Sequence, residues 1–247
     1  YTVADGMRDG NVLGFDSVPQ PTYKDKDLRK AVALEKAKAQ DETEVFANDS
    51  KKKIYMHWMY DVPMGEQLDD DGDSLESIEG CLTDAQYKCD EHRKAVIVDI
   101  LDKWVSQSHN GKFHAILATS SIPEAIKYYK LFAQRDCGLK TTAVFDPSDG
   151  NNESSIEKID GIAQMLEDYN SLFGTCFNIS GYASFKRDVC ARLAHKTPYT
   201  AVENEPSKCL DILIVVDQML TGYDSKWLNT LYMDKFYKWS NIEMIIQ

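Results

Sequence analysis

At 247 residues and a net charge of −12, the chain is long enough to bury roughly 70–75% of its unfolded surface, as one large domain or two small ones. The charge is unevenly placed: residues 61–91 hold eleven acidic side chains against the single Lys88, a balance of −10, and leave about −2 for the rest, so an anionic partner is not excluded. No run approaches 18 consecutive apolar residues and no signal peptide is visible, which points to a soluble, cytoplasmic protein without a membrane partner. Six cysteines (Cys81, Cys89, Cys137, Cys176, Cys190 and Cys209) form no C-x-x-C pair; reduced, buried thiols are expected rather than a zinc site or a disulfide scaffold. The chain begins at Tyr1 and stops at Gln247 inside an apolar run, and reads as a piece of a larger protein.

Taken in order, residues 1–16 read as a short helical piece followed by a strand over Asn11–Phe15, with Pro19 and Pro21 punctuating the exit. Asp27 to Glu44, rich in Ala, Lys and Glu, has strong helix propensity. Ile54–Tyr60 is apolar and aromatic, a strand or a helix start, and Val62–Asp84 reads as an acidic surface excursion. A helix is expected over about Asp84–Ser106, where Ala95, Val96, Val98, Ile100, Leu101, Trp104 and Val105 make a broad apolar stripe. Phe113–Thr119 is the pattern of a buried strand; Ser120 or Ser121 then caps a helix that has Pro123 in its first turn. Lys140–Phe145 is the next strand, Ile156–Phe173 and Tyr182–His195 are helices, and Ile212–Val216 is a β-branched run of the kind buried on both faces. Leu228–Met233 reads as another buried strand. This order is that of an α/β protein with a parallel sheet flanked by helices.

In such sheets function sits beyond the carboxyl ends of strands. Thr221-Gly222-Tyr223-Asp224 follows one of them; it can bind phosphate through its hydroxyl and a close backbone approach at Gly222, and a tight turn capped by Asp224 explains it equally. Ser120 and Ser121 open a helix whose N–H groups favour phosphate, or serve only as a cap. Lys186, Arg187, Arg192 and Lys196, opposed by Asp188, form either a backbone contact for nucleic acid or a solvated helix face. Three lookalikes fail. Asp90-Glu91-His92-Arg93 follows no buried strand. Asp69-Asp70-Asp71-Gly72-Asp73 puts Gly72 at position four of a calcium loop and Gly80 at position twelve. The five histidines show no metal-ligand spacing. No G-x-x-x-x-G-K phosphate loop and no Glu-x-Lys nuclease pattern is present.

Together, Asp211–Asp217, Leu220-Thr-Gly-Tyr-Asp224 and Leu228–Lys235 resemble the motif V region of the type I restriction endonuclease motor subunit, which more often has Phe where Tyr223 stands. Tyr1–Leu13 is similar to the segment leaving the first RecA-like lobe, with Gly6 in place of a more usual Ala. Phe113–Phe132, with Ala118-Thr-Ser-Ser121 and Tyr128-Tyr-Lys-Leu-Phe132, resembles motif IV, and Tyr169–Gly174 and Phe185–Leu193 also fit. The resemblance is poor only over residues 22–84. It implies a RecA-like helicase C-terminal lobe, a P-loop NTPase-like fold without its own P-loop, with residues 1–18 as the linker from lobe one and 19–247 as lobe two, the acidic excursion falling at about 61–91. It further implies an ATP-dependent DNA translocase that acts on double-stranded DNA with modification (methyltransferase) and specificity subunits. ATP and Mg2+ would be held mainly by the first lobe, and this piece alone would bind no cofactor and hold no complete active site. Thr221, Ser120, Ser121, Lys186 and Arg187 would touch the DNA backbone; Gly222, Asp224 and Gln247 would line the nucleotide cleft. A lobe of another superfamily 2 helicase or remodeller, and a non-catalytic α/β binding module, remain as alternatives.

Overall fold

The computed structural model describes residues 24–65, 75–81, 89–135, 137–145, 155–216 and 225–234, with isolated positions at 5, 8, 9, 14, 16, 18 and 67. The expected strand at 11–15 lies largely outside the described residues. The chain divides into two compact units, one of Val18–Val96 and one of Tyr1–Ser17 with Ile97–Gln247.

The first unit is helical. The stretch expected as one helix over 27–44 is two, α1 (Asp25–Lys36) and α2 (Glu42–Phe46). The break falls at Lys38, which has a φ of 52°. Asp41 then restarts the helix: its carboxylate accepts from Glu44 N at 2.9 Å while that of Glu44 accepts from Gln40 N at 2.9 Å, an arrangement akin to a capping box. Ile54–Tyr60 belongs to a helix, α3 (Asp49–Tyr60), started by the Asn48 side chain accepting from Ser50 N at 2.9 Å. Tyr55 and Trp58, three apart on one face, are buried with Leu28, Val32, Ala33 and Val45. Val62 and Ile78 join this core from the acidic stretch, and Arg29 fixes the chain there by donating to Val62 O at 2.7 Å.

Helix α4 (Asp90–Gln107) crosses the division, with Ile97, Ile100 and Trp104 buried beyond it. The sheet unit then runs β1 (His114–Thr119), α5 (Ile122–Gln134), β2 (Thr141–Val144), α6 (Ser155–Phe173), α7 (Tyr182–Leu193), β3 (Ile212–Val215) and β4 (Leu228–Asp234). The four strands among the described residues are parallel, in the order β2-β3-β1-β4. Every residue of β1 and β3 is buried, as expected for inner strands covered on both faces. β4 departs from the expected buried strand. Among the described residues it pairs on one side only, and Asn229 and Met233 are exposed. An edge strand needs fewer apolar positions than an inner one.

Two further expectations change. Arg192 does not belong to an exposed basic cluster: it is 3% exposed and bonded on all sides. The cysteines form no disulfide among the described residues, but none is fully buried and Cys176 is exposed.

Candidate functional site

The carboxyl ends of the strands are built from β1 outward. Ala118 pairs with Val215 and Thr119 with Asp234, so the exits of β3 and β4 flank that of β1. The chain leaves β1 through Ser120 and Ser121 and leaves β3 towards Asp217–Asp224, side by side. Thr119 is fully buried, and its hydroxyl donates to Val215 O at 3.1 Å. It reaches Ser121 O only at 3.5 Å, and with one proton it serves one acceptor at a time.

The two serines separate in role. Ser121 is the N-cap of α5: its hydroxyl accepts from Glu124 N at 3.4 Å and its carbonyl from Ala125 N at 3.0 Å. Ser120 is exposed. Glu124 lies buried in the first turn, favoured by the helix dipole, and takes Lys127 Nζ at 3.3 Å. A carboxylate in that turn, with the capping hydroxyl engaged, does not fit a nucleotide phosphate bound on the α5 terminus.

Lys186 and Arg187 sit on α7. This helix starts at the carboxyl end of β2, where Phe145 N donates to Tyr182 Oη at 3.2 Å. Arg187 is exposed and donates to Ser184 Oγ at 3.1 Å; Lys186 is half-buried. Thr221, Gly222, Asp224 and Gln247 lie outside the described residues. The structure therefore brings Ser120 and Ser121 beside the end of β3 at Val215, and sets Lys186 and Arg187 on the half of α7 nearer the carboxyl ends of the strands. Among the described residues no group of three or more His, Cys, Asp or Glu could hold a metal ion.

Sequence reasoning gave no role to three residues at the rim. Thr119 is one. The others are Tyr128, fully buried, and Asp234, joined by a hydrogen bond from Tyr128 Oη to Asp234 Oδ2 at 2.6 Å across 106 residues. Asp234 was visible inside the motif V resemblance, but its partner could not be read from spacing.

A cavity of about 460 Å³ opens at the opposite end of the sheet, lined by Lys112, His114, Lys140, His195, Glu203 and Asp211 among others. Burial, then the nearby His195, lowers the His114 pKa to about 3, while burial raises that of Asp211 despite the hydrogen bond it accepts from Lys140 N at 2.8 Å. His195 stacks on Trp227 with ring centroids 4.1 Å apart and meets Glu203 at 3.0 Å. Its pKa is lowered, chiefly by burial. These groups tie together the starts of the strands: Asp211 N donates to Lys140 O at 2.9 Å and Ala115 N to Asp211 O at 2.9 Å. The cavity lies at the amino ends of the strands, and active sites of parallel sheets form at the other end, so the carboxyl rim is the candidate site.

Residues 111–247 match the model of the family described as Type I restriction enzyme subunit R domain 3. A type I restriction enzyme endonuclease subunit of Staphylococcus aureus (strain MRSA252) is 26% identical over 243 residues, which is 95% of this chain and 21% of that protein. A type I restriction enzyme endonuclease subunit of Staphylococcus saprophyticus is 28% identical over 186 residues, 72% of this chain and 19% of that one. The chain thus spans about a fifth of the length of these curated relatives. The four parallel strands and their helices form the expected RecA-like α/β arrangement.

Proposed function

The chain belongs to the type I restriction enzyme subunit R domain 3 family, and from that premise we propose that it is the second RecA-like lobe of an ATP-driven DNA translocase. The lobe works within the endonuclease subunit of a type I restriction–modification enzyme in the cytoplasm. Its partners are double-stranded DNA and the modification and specificity subunits of the same complex. The observation that carries the reading is the shared rim: the exit of β1 at Ser120 and the exit of β3 towards Thr221–Asp224 are adjacent, locked by the Thr119–Val215 hydrogen bond.

In this reading Ser120 and Thr221 meet the DNA backbone, with Lys186 and Arg187 adding positive charge. Ser121 supports Ser120 by capping α5. Gly222, Asp224 and Gln247 face the nucleotide held between the lobes. ATP and Mg2+ belong mainly to the first lobe, since this chain has no phosphate loop and the buried Glu124 does not suit a nucleotide phosphate bound on the α5 terminus. When bound, the nucleotide would supply binding energy for closing the cleft and phosphoryl-transfer chemistry for reopening it; the chain itself grips and releases the strand. Contacts of this kind are independent of base sequence.

The test uses the full-length subunit in its assembled complex. Thr221→Ala and Asp224→Ala are each expected to lower DNA-stimulated ATP hydrolysis by about tenfold or more, the size of one lost charge-assisted contact. Turnover equal to the parent in both variants overturns the reading. The 247-residue chain alone is expected to hydrolyse no ATP, and measured turnover by it would refute the division of labour.

A further inference from the structure

We propose that Tyr128 is a positioning residue that couples the DNA side of this lobe to its nucleotide side by holding Asp234. The inference rests on the function proposed above and adds to it the link between the two sides. Tyr128 lies seven residues after the cap Ser121, which is two turns along the same face of α5. It is completely buried, yet its hydroxyl does not serve its own helix: it donates to Asp234 Oδ2 at 2.6 Å. Asp234 ends β4 and pairs in register with Thr119, the residue before Ser120.

These contacts close a ring. It runs from Ser121 down α5 to Tyr128, across to Asp234, and back through the β4–β1 pairing to Thr119 and Ser120. The chain beyond Asp234 continues to Gln247, which the function proposed above assigns to the nucleotide side. Any displacement of the β4 exit is therefore passed through the phenol–carboxylate bond to α5, and from α5 to the serines at its start. A hydrogen bond to a carboxylate is stronger and more directional than one between neutral groups, and packed elements move as units rather than bending. A phenylalanine at 128 fills the same space and lacks the hydroxyl that donates to Asp234. The buried ring supplies packing; the hydroxyl supplies coupling.

The experiment measures base pairs moved per ATP hydrolysed by the assembled full-length enzyme, with phosphate release and displacement of a triplex-forming strand read on the same sample. Tyr128→Phe is expected to lower this ratio by about tenfold, the factor that a lost charge-assisted hydrogen bond supports. Asp234→Ala is expected to lower it similarly. Asp234→Asn keeps an acceptor oxygen for the phenol and is expected to restore the ratio to within about twofold. If Tyr128→Phe proves too unstable to assemble, the Asp234 pair carries the test. A parental ratio in Tyr128→Phe overturns the proposal, as do equal ratios in Asp234→Ala and Asp234→Asn. A parallel fall of hydrolysis and movement, with the ratio unchanged, also overturns it, because that is the effect of a merely structural side chain. Failure of the underlying functional reading shows elsewhere: the parent enzyme would then lack DNA-stimulated ATP hydrolysis altogether.

Discussion

Replacing Arg192 with alanine is the sharpest probe of what holds the sheet unit together. The guanidinium donates from Nε to Tyr169 Oη at 3.0 Å, from Nη1 to Lys208 O at 2.8 Å and from Nη2 to Tyr199 Oη at 2.9 Å. It also lies 3.8 Å from the Phe173 ring and 3.4 Å from Asp188 Oδ2. Alanine leaves the Lys208 carbonyl without this donor and removes the cation opposite Asp188. Breaking a buried charge network by taking out one partner costs ~3–5 kcal/mol. The Asp188 side chain is 16% exposed, so water softens its loss, and the lower end, ~3 kcal/mol, is the expected value. That corresponds to a fall of about 6–12 °C in melting temperature for a domain of this size. Urea unfolding of the 247-residue chain, followed by tryptophan fluorescence, measures it directly. Arg187→Ala, at an exposed position on the same helix, is expected to stay within about 0.5 kcal/mol. A loss below about 1 kcal/mol for Arg192→Ala would refute the structural role and return this arginine to the surface cluster.

Acid should weaken the fold through His114. Its folded pKa is about 3 and its unfolded value is about 6.5, so the unfolded chain takes up the proton first. Stability is then full above about pH 6.5 and falls continuously towards about pH 3. Between about pH 7.5 and 5.5 the His114 contribution is a loss of ~1 kcal/mol; His114→Gln should flatten the urea-midpoint profile by that amount, with His195 contributing in the same direction. Thr119→Val, which keeps the shape and deletes the donor to Val215 O, should cost ~1–2 kcal/mol in the same assay. Gly161→Ala places a methyl 2.8 Å from Ile126 Cγ2 and 2.9 Å from its Cδ1. Crowding of ~1–3 kcal/mol then outweighs a helix gain of ~1 kcal/mol. Adding Ile126→Val should recover part of the loss, and strict additivity of the two changes would contradict the contact.

Residues buried by local pattern were legible, and those buried by distant partners were not. The β1 and β3 runs announced themselves because inner strands tolerate no polar face, and the motif V resemblance identified the RecA-like arrangement. β4 carries a similar apolar pattern, but nothing in Leu228–Met233 says that Asn229 and Met233 will be exposed. The break between α1 and α2 leaves a trace in Asp41 and Glu44, three apart, yet the high helix propensity around Lys38 hid it. Arg192 shares its helix with Lys186 and Arg187, and only Tyr169, Tyr199 and the Lys208 carbonyl turn it inward. At the rim, Ser120 and Ser121 were readable as a strand end opening a helix. The Tyr128–Asp234 bond was not, since it joins residues 106 apart.

The strand order also sets a timetable for synthesis. β1, at the centre of the sheet, ends at Thr119, whereas its two neighbours begin at Ile212 and Leu228. At about 5–20 residues per second, roughly 5–20 s separate the emergence of β1 from that of its first partner. During that interval Ala115-Ile116-Leu117-Ala118, the apolar centre of the six-residue β1, has open backbone groups, the profile of a segment prone to pair with other chains. Lys112 before it and the polar Ser120-Ser121 after it bracket the run, and α5, emerging next, can cover one of its faces at once. The serines at the proposed DNA contact thus border the segment of the nascent chain that most needs protection until the sheet closes.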